Sequence, residues 1–586
     1  MTSKKSVEKL RMWQERLALN QAAFDAEVAK MDEREEMYRG SKKYRASLVQ
    51  NDLKRDAVHV RNIVSELIET QVSASLPKPK VTAMRPQDEK KAKLIEDMLR
   101  CEIERLPMET LNDLMERTVP IQGGAVWLVE WDHFKQMQNR TFGEVSISAI
   151  HPKQLVPQDG IFGDLCDMDY FILKLPQTKE YIRRRYGVDV ADECEQEPEM
   201  RAVQSADASD DLVTQYVAYY RNGDGSVGMF SWVGDTVLSD MEHCQARYLR
   251  HCSECGRIAE PGEEVCAVCG ATVCDKEQEY ETVTVKTPFG NSETVSVLQY
   301  RPNIFPAVLQ KSVSVYGRLL GESDVDKIAD QQNTANRIEM KIIDKLLKSG
   351  SYITLPDEAS IRFDAEDLKV IRPGNAANKN LIDVYDLEGN IEYDLIYLNQ
   401  VYEEARQTIG ITDSFQGRRD STATSGKAKE FSAAQSAGRL ESKRVMKEAA
   451  YAKLFEIIFK LRLAYADEPR PVFSKDEKGN SVYEVFNRYD FLERDESGEW
   501  FWNDAFIFSC DSSSALASNR EAMWQETRKN LESGAFGDTR DIGTLILFWS
   551  KMDMLHYPGA GETKRYLEDR AVKAQTTTRQ ETDTPD

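Results

Sequence analysis

Gly410-Ile-Thr-Asp-Ser-Phe-Gln-Gly417, Arg418-Arg-Asp420 and Ser421-Thr-Ala-Thr-Ser-Gly426 run directly into Lys427 and a helical pattern that continues to about Ala466. So many Gly, Ser and Thr in succession favour a turn-rich loop over a packed element. The helix that follows would be roughly 60 Å long if straight. Its first half is built of small residues, Ser432, Ala433, Ala434, Ser436, Ala437 and Gly438, with Gly438 a natural bend. Its second half is bulky, Leu454, Phe455, Ile457, Ile458, Phe459 and Leu461, and reads as core. Between 409 and 466 there are 11 Lys/Arg against 6 Asp/Glu, in a chain whose net charge is -22. One basic loop and helix in an acidic protein is the feature the rest of the sequence has to accommodate.

A chain of 586 residues exceeds a single simple core. With 41% hydrophobic and 30% charged residues it has the composition of a globular protein. No run approaches the ~18 apolar residues of a membrane helix. Met1-Thr-Ser-Lys-Lys-Ser6 leads into a charged helical pattern without an apolar signal core, so an intracellular site of synthesis is expected. The negative balance argues against a general nucleic-acid binder, which needs a basic face to neutralise phosphate. It leaves room for a protein that handles DNA without gripping it, since repulsive walls with a few basic contacts would suit passage better than tight binding.

Upstream, Leu10, Trp13, Leu17, Phe24, Val28 and Met31 mark an amphipathic helix over 4–38. A second is expected over 51–71, and a third over 87–117 beyond the break at Ser75-Leu-Pro-Lys-Pro-Lys80. The cations between Arg39 and Arg61 read as a solvated helix face. Gly123 to Trp131 reads as a buried strand, and a strand and turn follow through 145–152 and 155–157. Thr178 to Gly187 is a short helix with a Thr cap, cations in its last turn and a Gly stop.

From Val188 to Glu281 the composition shifts to 21 Asp/Glu against 6 Lys/Arg. Leu212–Tyr220 and Gly228–Val233 read as antiparallel strands around Asn222-Gly-Asp-Gly225, within an inserted, mostly β module. It carries Cys252-Ser-Glu-Cys255-Gly and Cys266-Ala-Val-Cys269-Gly. Two residues between cysteines let both thiolates reach one ion, and the Gly permits the knuckle turn, so Cys252, Cys255, Cys266 and Cys269 are the expected ligands of a structural zinc. The alternative is two disulfides or reduced thiols. Cys244, Cys274, His243 and His251 lie nearby without knuckle spacing and rank below the four. The acidic surroundings favour a protein-contacting arm over a DNA reader.

Gly317-Arg-Leu-Leu-Gly321-Glu-Ser-Asp324 then opens a helix to Ser349, with Ser323 as cap and Val325, Ile328, Ala335, Ile338, Ile342 and Leu346 as its stripe. Short strands are expected at 352–355, 368–372 and 381–385, and a helix from Leu395 to Thr408. Strands between 482 and 511, helices near 516–532, 540–554 and 562–573, and a disordered tail complete the chain.

Three pieces resemble the portal proteins of tailed double-stranded DNA bacteriophages. They are the helix ending Arg183-Arg-Arg-Tyr-Gly187, the run Gly321-Glu-Ser-Asp324 into Asp330-Gln-Gln-Asn-Thr-Ala-Asn336, and Thr408-Ile-Gly-Ile-Thr-Asp413 followed by Gly417, Ser425-Gly426 and the long helix. Their order spans most of the chain, and the zinc ribbon departs from the commonest family pattern. The resemblance implies an α+β, predominantly helical subunit with wing, stem, clip and crown regions. The N-terminal wing part would be 1–176, the first stem helix 177–187, and the clip module 188–320 with a zinc ribbon at 252–269. The second stem helix would be 321–349. A further wing part, 350–515, would hold the tunnel loop 412–426 and the long helix 427–466. The crown would be 516–575 and the tail 576–586.

The function implied is a ring at one capsid vertex, usually a dodecamer, assembled in the host cytoplasm and retained in the virion. It would pass DNA during packaging and ejection. Its partners would be the terminase large subunit, major capsid and scaffolding proteins and a head–tail adaptor, with no membrane. Arg418 and Arg419, with Lys427 and Lys429 behind them, would touch DNA phosphate or else pair with acids of the next subunit.

No catalytic constellation is expected. Ser425-Gly426-Lys427 fails as a phosphate loop, because Ser421 stands where Gly is needed and Ala428 where Ser or Thr is needed. The six histidines are scattered and form no triad or HExxH pattern. A non-enzymatic zinc-ribbon scaffold that recruits a nucleic-acid enzyme, without a ring, is the other reading.

Overall fold

The computed structural model describes residues 4–40, 61–190, 212–411 and 426–570, apart from 74, 134–135, 138–139, 142, 259–264, 287–291, 355–359, 364–368, 373–382, 388, 476–480, 496, 511–519, 539–540, 555–556, 558 and 568–569. Helix outweighs strand, 48% against 26%, so the fold is α+β. Two compact units divide the chain, 1–510 and 511–586.

Helices α1 (Lys4–Arg39), α2 (Ile63–Gln71), α3 (Glu89–Arg105) and α4 (Met108–Gln122) open the first unit. The single helix expected over 87–117 is two helices. Leu106 is extended, as a residue before proline tends to be, and Pro107, lacking an N–H, starts α4. Expected residues 51–60 lie outside those described.

Strand β1 (Gly124–Asp132) is the centre of a three-stranded antiparallel sheet, between β2 (Glu144–Ile150) and β10 (Ala307–Lys311). Both faces of β1 are buried, which explains its unbroken apolar run. The largest core gathers on it. Helix α8 (Gly426–Tyr465) contributes Tyr451, Leu454, Phe455, Ile458 and Phe459, and α3 and α4 contribute Ile95, Leu99 and Met115. Trp127 meets Tyr451 edge-on at 5.6 Å and donates its indole N–H to Gln310 at 2.9 Å. Each such side chain contributes on the order of 1.5–3 kcal/mol by burial. The bulky half of the long helix is therefore its anchor, and the helix runs unbroken through Gly438.

A five-stranded antiparallel sheet runs β7 (Thr236–Met241), β6 (Val227–Val233), β5 (Leu212–Arg221), β4 (Tyr170–Thr178), β3 (Leu155–Pro157). Leu10 and Trp13 of α1 pack on it among Val156, Ile172, Phe230 and Trp232. Residues 212–241, expected inside an inserted module, thus continue the sheet of 155–178. The composition boundary at 187/188 falls between paired strands because charge changes there while hydrogen bonding does not. Helix α5 (Lys179–Tyr186) has the expected ends: Thr178 accepts the N–H of Tyr181, and Gly187 takes a φ of 67°.

Helix α6 (Asp324–Lys348) packs with α2 and α7 (Glu392–Ile409) through Val325, Ile328, Ala335, Ile338, Val401 and Ala405. Ser323 caps α6, accepting from the N–H groups of Val325 and Asp326. The amide-rich run has a structural use. Gln332 accepts the N–H groups of Ile63 at 2.8 Å and Val64 at 3.2 Å and so closes the start of α2. It also donates to Arg61 O at 3.0 Å and to Asn336 at 2.8 Å.

The turns before α6 and after α4 meet back to back. Gly123 ends α4 with φ 87°, and Gly321 has φ 47°. A Cβ on Gly321 would lie 2.3 Å from Val313 O and 3.0 Å from Gly123 O, and one on Gly123 would lie 2.9 Å from Gly321 O. Beside this joint Arg34 pairs with Asp326, and Lys443 of α8 pairs with the buried Asp324. In the second unit, α9 (Arg520–Glu532) and α10 (Ile542–Met554) pack through Trp524, Phe548 and Met552. Among the described residues no helix is long and apolar enough to cross a membrane.

Candidate metal centre

Strands β8 (Tyr248–Cys252) and β9 (Val273–Glu277) form an antiparallel ladder in which Cys252 faces Val273 and His251 faces Cys274. The two knuckles extend it, through single bridges from His251 to Ile258 and from Val265 to Thr272. Each knuckle closes in the same way. Gly256 N donates to Cys252 O at 3.1 Å and Cys252 N to Arg257 O at 2.8 Å. In the second, Gly270 N donates to Cys266 O at 2.9 Å and Cys266 N to Ala271 O at 2.8 Å. Gly256 and Gly270 take φ of 68° and 73°, a region a side chain makes costly.

The turns bring the sulfurs of Cys252, Cys255, Cys266 and Cys269 within 4.8 Å of one another. Cys252 and Cys269 approach to 3.2 Å, Cys255 and Cys266 to 3.6 Å. All four are free thiols, so the alternative of two disulfides is not what the structure shows. Four sulfurs around one ion at ~2.3 Å would stand about 3.8 Å apart, so the donor set fits a tetrahedral metal. The four cysteines lie close together and can bind one.

Electrostatics agree. Backbone N–H groups of Cys269 and Val268 pull the Cys266 thiol down to about 6. The N–H groups of Cys255 and Glu254 lower Cys252 in the same way. The Ala271 N–H lowers Cys269, but the Cys252, Cys255 and Cys266 sulfurs and loss of solvent together outweigh it, and the thiol ends at about 12. Four thiolates this close repel, and a shared cation relieves the repulsion.

The lower-ranked candidates have other partners. Cys244 lies among the apolar residues behind β4 and β5, and burial pushes its thiol up to about 12. His243 Nδ1 is 2.9 Å from Ser226 Oγ, and His251 Nδ1 is 3.0 Å from Cys274 O. Of the basic residues expected at the channel, Arg418 and Arg419 lie outside the described residues. Lys427 and Lys429 fall in the first turn of α8, and their side chains also lie outside the described residues.

Sequence reasoning missed what holds the ribbon. Both of its legs are bonded to the last turn of α8. Arg247, just before β8, donates to Ala464 O from Nε at 3.1 Å and from Nη2 at 2.5 Å, and pairs with Asp467 at 2.8 Å. Glu281, beyond β9, pairs with Arg488, which donates to Leu463 O and Ala464 O, both at 3.1 Å. Two cations thus close the negative end of the long helix. The one signal in the sequence was Arg247 itself, a rare cation in an acidic stretch. The chain matches no known protein-family model and no curated protein.

Proposed function

We propose that the chain is the portal subunit of a tailed double-stranded DNA phage, one of a ring of copies around a DNA channel at a capsid vertex. The observation that carries this reading is the 40-residue helix α8, which starts where the basic Gly/Ser/Thr loop ends and is anchored in the main core by its far half. A loop on such a support suits transient contact with moving phosphate, through Arg418 and Arg419 with Lys427 and Lys429 behind them. The acidic remainder would repel DNA and keep that contact weak. The capped helices at 179–186 and 324–348 support the same assignment, since they stand where the stem is expected. Under this reading the protein is not an enzyme. The ribbon would be an arm of the clip that meets the terminase motor or the head–tail adaptor. Capsid and scaffolding proteins would surround the wing, and the ring would end up in the virion.

Electron microscopy of the purified protein tests this. Rings with a central hole and about twelvefold symmetry are expected. Particles of single-subunit size would sink the portal reading. They would favour the scaffold that uses the four-cysteine ribbon to recruit a nucleic-acid enzyme.

The metal we assign is zinc, because an all-thiolate tetrahedral set without an open position suits a structural zinc. Metal analysis of protein purified without added metal is expected to give one zinc per chain, lost in a Cys252→Ser/Cys266→Ser variant. Iron instead of zinc, or far less than one equivalent, would overturn the assignment.

A further inference from the structure

We propose that the ribbon is a site of reversible disulfide formation across its two knuckles, Cys252 with Cys269 and Cys255 with Cys266, which replaces the metal as the staple that closes it. The inference rests on the metal reading of the four cysteines and adds a second covalent state to it.

Three observations point there. Two close sulfur pairs run between knuckles, at 3.2 Å for Cys252 and Cys269 and 3.6 Å for Cys255 and Cys266. Each pair combines one exposed residue, Cys269 or Cys255, with one buried residue, Cys252 or Cys266. That is the arrangement in which an oxidant meets the outer thiol and the inner one resolves the product. Third, the ribbon has almost no other core. Between Tyr248 and Glu279 the buried apolar residues among those described are Cys252, Cys266 and Val273. Something has to tie the knuckles together when the metal leaves. The β8–β9 ladder, which ends with Cys252 opposite Val273, joins the two knuckles, and across them the sulfurs already stand 3.2 and 3.6 Å apart.

The chemistry balances with a peroxide as oxidant. The outer thiolate attacks one peroxide oxygen, and with one proton gives a sulfenic acid and water. The inner thiolate then attacks the sulfenic sulfur, and with a second proton forms the disulfide and releases a second water. Each pair gives up two electrons to one hydrogen peroxide. Two pairs consume two peroxides and four protons, and release the metal as a free dication.

Peptide mapping of the full-length protein tests this directly. Trypsin cuts after Arg250, Arg257 and Lys276, so Cys252 and Cys255 fall in peptide 251–257, and Cys266 and Cys269 in peptide 258–276. Cys274 shares the second peptide and is exposed, so a Cys274→Ser background removes it. Metal-loaded protein is titrated with hydrogen peroxide while released metal is read with a chromogenic chelator. Release of one equivalent of metal for two of peroxide is expected, with the two peptides joined until a dithiol reductant is added. Fragment spectra should place the bonds at 252–269 and 255–266. Separate peptides, each bridged within its own knuckle, or sulfinic and sulfonic acids in place of disulfides, would overturn the proposal. The same map on protein that never held metal keeps the two readings apart. Joined peptides there, with no metal in the untreated sample, would refute the metal site and leave the cross-knuckle pairing standing.

Discussion

Gly321→Ala is expected to lower the stability of the 1–510 unit by roughly 3–5 kcal/mol, among the largest effects a single methyl can have. Two costs add. A positive φ costs a non-glycine residue about 1–2 kcal/mol. The new Cβ would also stand 2.3 Å from Val313 O, and neither that carbonyl nor Gly123 can retreat easily. Val313 O accepts the N–H of Glu322 at 3.0 Å, and Gly123 O accepts that of Ser312 at 2.9 Å. Gly160→Ala is the control, because Gly160 has φ 83° with nothing within 4 Å of the position a Cβ would take. It should show the backbone cost alone. Thermal melts of the two variants decide the matter. Equal shifts would mean that the α4 and α6 turns do not meet as described.

Arg488→Met is the second large effect, about 3–5 kcal/mol, because it strands the buried Glu281 without its partner. Arg488 is 0% exposed, and its side chain also closes the last turn of α8. Replacing both partners, Arg488→Met with Glu281→Leu, should restore much of the loss, since the pair's desolvation cost disappears with it. A denaturant double-mutant cycle measures the coupling. Additive losses, each under about 1 kcal/mol, would show that the pair does not hold the foot of the ribbon.

These two sites mark the limit of what the sequence made legible. Elements whose ends are written locally were readable. Thr178 and Gly187 bracket α5, Ser323 starts α6, and Cys-x-x-Cys-Gly occurs twice with the geometry it requires. The two halves of the long helix, small and then bulky, were readable from composition, and the bulky half does face the core. What could not be read depends on residues far apart in the chain. Strand β1 takes β10 as a partner and β4 takes β5, so two sheets join residues on either side of 188. Gln332 caps a helix that begins at Ile63. Arg488 and Glu281 look like any other charges until the fold buries them together. The break at Pro107 was local, but the apolar repeat on either side of it concealed it.

The position of β1 has a consequence for how the chain is made. Its edges are covered by β2 and β10 and one face by α8, so it is not enclosed until residues near 466 have left the ribosome. At ordinary synthesis rates of about 5–20 residues per second, that leaves an apolar strand, paired early with β2 on one edge, incompletely covered for on the order of twenty seconds to a minute. A nascent chain stalled between residues 150 and 300 would therefore be a client for chaperones, and sites of slow translation in that interval would lower the yield of soluble protein.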